Sequence, residues 1–417
     1  MKEPALAAGK LRVRMYRVGF GDCFLLSVPT RTGRDHILID CGVHFRGDIR
    51  KMKDVIDDIA KETGKKLAIV IASHAHQDHI SGFGGMFTKE WDDFTIGEVW
   101  LPWLEDLSNA RAKKLRQRRM ALAGVLQNHF AATPRDPAME DLIVNATGVA
   151  PAGFVSMGPT ESAMEVLRSG FHGTANVQYL KAGDERRTAG GIRGLTAHVL
   201  APCEDESFLS RVDPPRSQRY MALDAEKARE HGAILPFADH WTAIGSTKGL
   251  QRLSLGEVQN LRAALTTPMS EFAFALDNVL NNTSLVVAFR FGEELLLFPG
   301  DAQWGNWQSW MENGKDVLSN VTFYKVAHHG SYNATPKAAI EKLPLKRFAA
   351  MASTQSEPWP SIPAPKLVSF LKARSGNQYV QSDSIKIKGD GIPNKLVKSV
   401  PKKFRKGDFW YDYLAGT

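Results

Sequence analysis

The first hundred residues pass from a two-residue to a helical period and back. Leu11-Arg-Val-Arg-Met15 alternates apolar and polar positions, which predicts a strand with one buried face. Cys23–Val28 and Ile37–Ile39 are two further short apolar runs. Gly19-Phe-Gly-Asp22 and Pro29-Thr-Arg-Thr-Gly33, beside and between them, carry turn chemistry. Ile49, Met52, Val55, Ile56 and Ile59 then fall on one face at helical spacing, with Gly64 as a stop. Leu67–Ala72 is apolar without interruption, which predicts a strand buried on both faces, and Ile96–Leu101 predicts another. This alternation of strand and helix is that of an α/β domain.

From about Pro102 to Met269 the texture changes to helical stretches joined by Gly-, Pro- and Ser-rich connections. Gly191–Pro202 is the exception and resumes a strand pattern. Strand-like runs return at Ser284–Phe289, Glu294–Phe298 and Phe323–Ala327. The expected organisation is a scaffold made of residues 1–103 and 271–417. A mostly helical insertion over 104–270, with a returning strand near 191–202, interrupts it. No apolar run approaches the roughly 18 residues of a membrane span, and the N-terminus has no apolar core of a signal peptide. Cys23, Cys41 and Cys203 are an odd number at unpatterned spacings, which argues against a disulfide framework. A cytoplasmic location is the expectation.

Candidate chemistry starts just after the buried strand Leu67–Ala72, with His74-Ala-His76-Gln-Asp78-His79. Three imidazoles and a carboxylate within six positions are the nitrogen and oxygen ligands that zinc and its neighbours take, at roughly 2.0–2.2 Å. Ligand-type residues recur past later strands, as Gly300-Asp301 after Leu295–Pro299 and as His328-His329-Gly330-Ser331 after Tyr324–Ala327. Open sheets place their ligands at such strand ends. The two later segments add a bridging carboxylate and a further imidazole, which would make the ligand set for a second ion nearly complete.

HAHQDH is similar to the HxHxDH signature of the metallo-β-lactamase fold superfamily, and Asp40, Asp301 and the His328-His329 pair fall where that family has its other motifs. Val18–Asp22, Asn281–Leu285, Phe298–Asp301 and Ala327–Ser331 resemble, more narrowly, the soluble hydrolase domain of ComEC-type DNA-uptake proteins. The resemblance covers about residues 11–103, 180–202 and 280–390. It implies an αββα sandwich, an α/β fold, with a large helical insertion. It also implies two divalent ions, Zn2+ or Mn2+, held by His74, His76, Asp78, His79, Asp301 and His328. His328 is taken as the ligand because it lies nearest the strand end, and His329 as a donor to the transition state or leaving group. Asp78 would bind metal and orient a metal-bound hydroxide. Asp40 and Asn282 would act one layer out, on the ligands or their loop. Most relatives place a histidine where this chain has Asn281 and Asn282, so the ion at His74 and His76 is expected to bind weakly or to be a harder metal such as manganese. His198 is a more distant substitute; within a strand, a structural role is the commoner one.

The formal net charge of +8 favours polyanionic partners without saying anything about the fold. Arg111–Arg119 holds six positive charges and no acid, including Lys113, Lys114, Arg116, Arg118 and Arg119. The segment is either a phosphate-tracking surface or a solvated helix face. Lys402, Lys403, Arg405 and Lys406 raise the same choice. Trp304, Trp307 and Trp310 are either stacking partners for bases or core. Two activities compete: a phosphodiesterase or nuclease acting on DNA or RNA, and a hydrolase of small esters, lactones, thioesters or lactams.

Overall fold

The computed structural model describes residues 9–44, 47, 49–118, 159–218, 279–313, 316–355, 362–384 and 400–415. Its strands are β1 (Arg12–Tyr16), β2 (Cys23–Pro29), β3 (Arg34–Cys41), β4 (Lys66–Ile71), β5 (Thr95–Pro102), β6 (Asn176–Leu180), β7 (Glu185–Arg187), β8 (Leu195–Ala201), β9 (Val286–Phe291), β10 (Glu294–Phe298), β11 (Phe323–Lys325), β12 (Ala349–Ala352), β13 (Tyr379–Gln381), β14 (Phe404–Lys406) and β15 (Trp410–Leu414). They form two mixed sheets. One runs β14-β15-β1-β2-β3-β4-β5-β6, the other β13-β12-β11-β10-β9-β8-β7.

Three apolar layers explain the architecture. Phe24, Ile37, Ile69 and Trp100 of the first sheet meet Leu195, Phe289, Leu296 and Phe323 of the second in a core between the sheets. The opposite face of the first sheet, with Leu25, Leu38, Leu67 and Val70, is covered by the stripe Val55, Ile56 and Ile59 of helix α1 (Met52–Thr63). The outer face of the second sheet carries Ala288, Leu297 and Tyr324 beneath Trp307, Leu367 and Leu371 of the later helices. Two sheets packed face to face with helices outside make the αββα sandwich. β4 is continuously apolar because both of its faces are buried. Gly64 ends α1 in the left-handed region, at φ 59°.

Three strands, β6, β7 and β8, lie inside the span 104–270 and belong to the sheets. β8 is the returning strand. β6, Asn176-Val-Gln-Tyr-Leu180, is only five residues long, and β7, Glu185-Arg-Arg187, is a short charged edge strand; edges are commonly blunted in this way. Residues 119–158 and 219–278 of the expected insertion lie outside the described residues. So do Arg119 and most of the Lys-rich tail. Trp307 and Trp310 are buried against each other, ring centres 4.9 Å apart, so they pack the core and offer no stacking face.

His36 on β3 gives a pH-dependent contribution to stability. It contacts Ser27 Oγ at 3.1 Å; burial, then the nearby Arg12 guanidinium, push its pKa from 6.5 down to about 4. The folded state therefore keeps it neutral while the unfolded chain accepts the proton. Its contribution is complete above about pH 6.5 and is lost as pH falls toward 4, amounting to about 3 kcal/mol. Urea unfolding at pH 7.5 and 4.5 should show a smaller acid loss for His36→Gln than for the parent; equal losses would refute the assignment.

Candidate metal centre

Every sequence-predicted ligand sits in a segment that follows a strand, whether loop or short helix. β4 ends at Ile71, and Ser73–His76 lead into the short helix α2 (Gln77–Ile80). Asp40 lies near the end of β3, Asp301 follows β10, and His328 and His329 follow β11. Asp40, His328 and His329 have φ of 55°, 45° and 53°, the left-handed region that costs a non-glycine residue about 1–3 kcal/mol and persists where the surroundings dictate it. A glycine makes the convergence possible. A Cβ on Gly42 would overlap the backbone of Asp78 and His79, so the strand after Asp40 can press directly on the ligand loop.

The centre has two halves. In the first, ligand atoms of Asp78, His79, Asp301 and His329, all buried, lie within 4.8 Å of one another. His79 Nε2 is 3.1 Å from Asp301 Oδ2, and His329 Nε2 is 3.0 Å from Asp78 Oδ2 and 3.3 Å from Asp301 Oδ2. In the second, His74 Nε2 and His76 Nδ1 are 2.9 Å apart, and the His74 ring lies 4.2 Å from that of His79. His328 stands at the rim. Its side chain is 18% exposed, and its Nε2 is 4.0 Å from Asp301 Oδ2 and 3.5 Å from Asn281 Nδ2. The sequence favoured His328 for the inner position; the backbone turn puts His329 there instead.

The outer partners fix which ring nitrogen faces inward. Asp40 Oδ2 accepts from His79 Nδ1 at 2.8 Å, and the same carboxylate accepts the Ser73 amide and hydroxyl at 2.7 Å each. The Ser353 carbonyl accepts from His329 Nδ1 at 2.9 Å. Both acceptors keep the proton on Nδ1 and turn Nε2 toward the carboxylates. These residues can hold divalent ions. His79 Nε2 faces two carboxylates without the alignment of a hydrogen bond, and buried Asn281 Oδ1 and His328 Nδ1 find no hydrogen-bond partner among the described residues. Imidazole nitrogens and carboxylate oxygens converging in this way suit zinc and its neighbours.

Within the cluster, carboxylates and imidazoles offset one another's charge. Burial would raise Asp78 and Asp301, but His79 and His329 hold both carboxyls below their usual range. Burial opposes charge on those two rings as well. Asp301, Asp78 and Asp40 nevertheless raise His79 well above its usual range, and Asp301 and Asp22 raise His329 to about 10. Burial leaves His74, His76 and His328 neutral, His76 and His328 at about 4. Ions entering the first half must displace protons, which weakens uptake in acid.

Other predicted residues lie elsewhere. Asn282 turns away from the centre: its Nδ2 donates to the Leu209 and Arg211 carbonyls at 3.2 and 2.9 Å, and its Oδ1 accepts the Gln303 amide at 3.0 Å. It ties loops together, while Asn281 faces His328. His198 lies along β8, 3.5 Å from Glu185 on β7. The basic run forms a helix over residues 110–118. Arg111 pairs with Glu206 at 3.1 Å, Arg116 with Glu161 at 2.9 Å, and Arg118 approaches Glu206 at 3.9 Å. These arginines fasten the helix to the protein, and Lys113 and Lys114 remain exposed. Asp22 and Lys325, given no role by the sequence reading, are buried at the centre and ion-paired. Their signal was a charged residue at each of two apolar strand ends.

An αββα sandwich whose strand tips gather histidines and aspartates at one edge is the metallo-β-lactamase fold. Residues 16–153 match the family model described as the Metallo-beta-lactamase superfamily, whose members are largely metal-dependent hydrolases. No curated protein matches the chain. No helix among the described residues is long and apolar enough to cross a membrane.

Proposed function

We propose that this protein is a metal-dependent phosphodiesterase acting on DNA or RNA, with two divalent ions, Zn2+ or Mn2+, at the centre. His74 and His76 would hold one ion, and His79 and His329 the other, with Asp78 and Asp301 between. The observation that carries the hydrolase reading is the buried Asp78–His79–Asp301–His329 cluster beside the His74–His76 pair. A bound divalent ion supplies Lewis acidity, which acidifies water and neutralises charge on a phosphoryl oxygen. Asp78, hydrogen-bonded to His329, is placed to orient the attacking water, and His328 at the rim to donate to the substrate or leaving group. The motifs shared with ComEC-type hydrolase domains, the net charge of +8 and the exposed Lys113 and Lys114 support a phosphodiester substrate.

The ion pairs of Arg111, Arg116 and Arg118 favour a second reading, hydrolysis of a small ester, lactone, thioester or lactam, because they leave less positive surface for a polyanion. The test is cleavage of single-stranded DNA and of bis(p-nitrophenyl) phosphate with added Mn2+ or Zn2+. Asp78→Ala and His76→Ala are expected to abolish it. DNA affinity should fall with salt at about −0.7 per phosphate contacted on a log–log plot. Activity on lactams or thioesters alone would overturn the phosphodiester reading.

A further inference from the structure

We propose that Lys325 is a positioning residue that turns Asp301 into a one-oxygen donor toward the metal centre, and that Asp22 holds the lysine in place. This inference rests on the reading of Asp301 as a metal ligand. Lys325 ends β11, where Phe323 points into the core between the sheets and Tyr324 to the outer layer. Alternation therefore sends Lys325 inward, to the level where the apolar core gives way to the histidine cluster. It is 2% exposed. A lysine so buried must satisfy three donors at once. Nζ donates to the Gly300 carbonyl at 2.8 Å, lies 3.3 Å from Asp301 Oδ1, and pairs closely with the Asp22 carboxylate.

The two oxygens of Asp301 thereby face different partners. Oδ1 faces the ammonium, while Oδ2 has His79, His329 and His328 nitrogens at 3.1, 3.3 and 4.0 Å. The Asp301 amide donates to Ser284 Oγ at 3.0 Å and fixes the backbone from which the carboxylate extends. With Oδ1 engaged, only Oδ2 is aimed at the centre, so Asp301 cannot close both oxygens on one ion. The Asp22 carboxylate lies 3.7 Å from His79 and from His329, each at Nδ1, the nitrogen turned away from the centre. Its closest partner is the lysine.

The competing explanation is that Lys325 only neutralises a buried aspartate. Full-length parent, Lys325→Met and the double variant Asp22→Asn/Lys325→Met, each stripped by chelator, separate the two. Zinc and manganese binding would be followed by calorimetry, and stability of the stripped forms by urea unfolding. Lys325→Met is expected to lower both stability and metal affinity, because it leaves Asp22 buried without its cation. The double variant is expected to recover stability yet bind one ion ~10–100-fold more weakly than the parent, the range for loss of a residue that orients a ligand. Parent-like affinity for both ions in the double variant, or in Lys325→Met, would overturn the positioning role alone. A stripped parent that takes up neither metal would overturn the metal centre itself, and this inference with it.

Discussion

Alanine at Asp301 is expected to abolish hydrolysis, to strip one ion from the purified protein and to destabilise the metal-free fold by about 3–5 kcal/mol. No other residue of the cluster stands against as many cations. His79, His329 and Lys325 lie within 3.3 Å of its carboxylate, all nearly inaccessible to solvent, and His328 is 4.0 Å away. Removing it leaves buried positive charge uncompensated, which is the costly way to break a buried pair. Metal analysis and urea unfolding after chelation check the two parts separately. Retention of the parent's metal content would remove Asp301 from the ligand set.

The two adjacent histidines should respond very differently. His329→Ala is expected to weaken one ion by at least ~100-fold and to lower activity accordingly, because its Nε2 lies in the inner cluster and its Nδ1 is anchored to the Ser353 carbonyl. His328→Ala should leave metal affinity within a few-fold and act on turnover, since that ring stands at the rim beside Asn281. Calorimetric titration of both variants with Zn2+ decides this. The reverse order of effects would return the ligand's place to His328.

The difference between these histidines also marks where the sequence stops being legible. HAHQDH could be read because its ligands are crowded and follow an apolar run whose end is unmistakable. The α/β alternation could be read because a run such as Leu67–Ala72 must be a strand covered on both sides, while the sandwich came only with the family resemblance. His328 and His329 sit on two successive left-handed residues, and no periodicity tells which ring turns inward there. Asn281 and Asn282 pose the same difficulty, and the side chain facing the site proves to be the first. Lys325 at a strand end resembles any residue emerging into water until Asp22, some three hundred positions earlier, is seen against it. Acids outside the run pair with much of the basic helix: nearby Glu105 and distant Glu161 reach Arg116, and distant Glu206 reaches Arg111 and Arg118. A count of charge within the run alone does not reveal these pairings.

The bond between His329 and Asp78 closes a loop of 251 residues. A chain emerging from the ribosome displays HAHQDH long before the later tips exist. Until β10 and β11 have docked, those imidazoles have Asp40 and Asp78 nearby but lack Asp301 and His329. On the proposed metal reading, selective loading would follow the collapse of the two halves, since only then do Asp301 and His329 stand beside the motif.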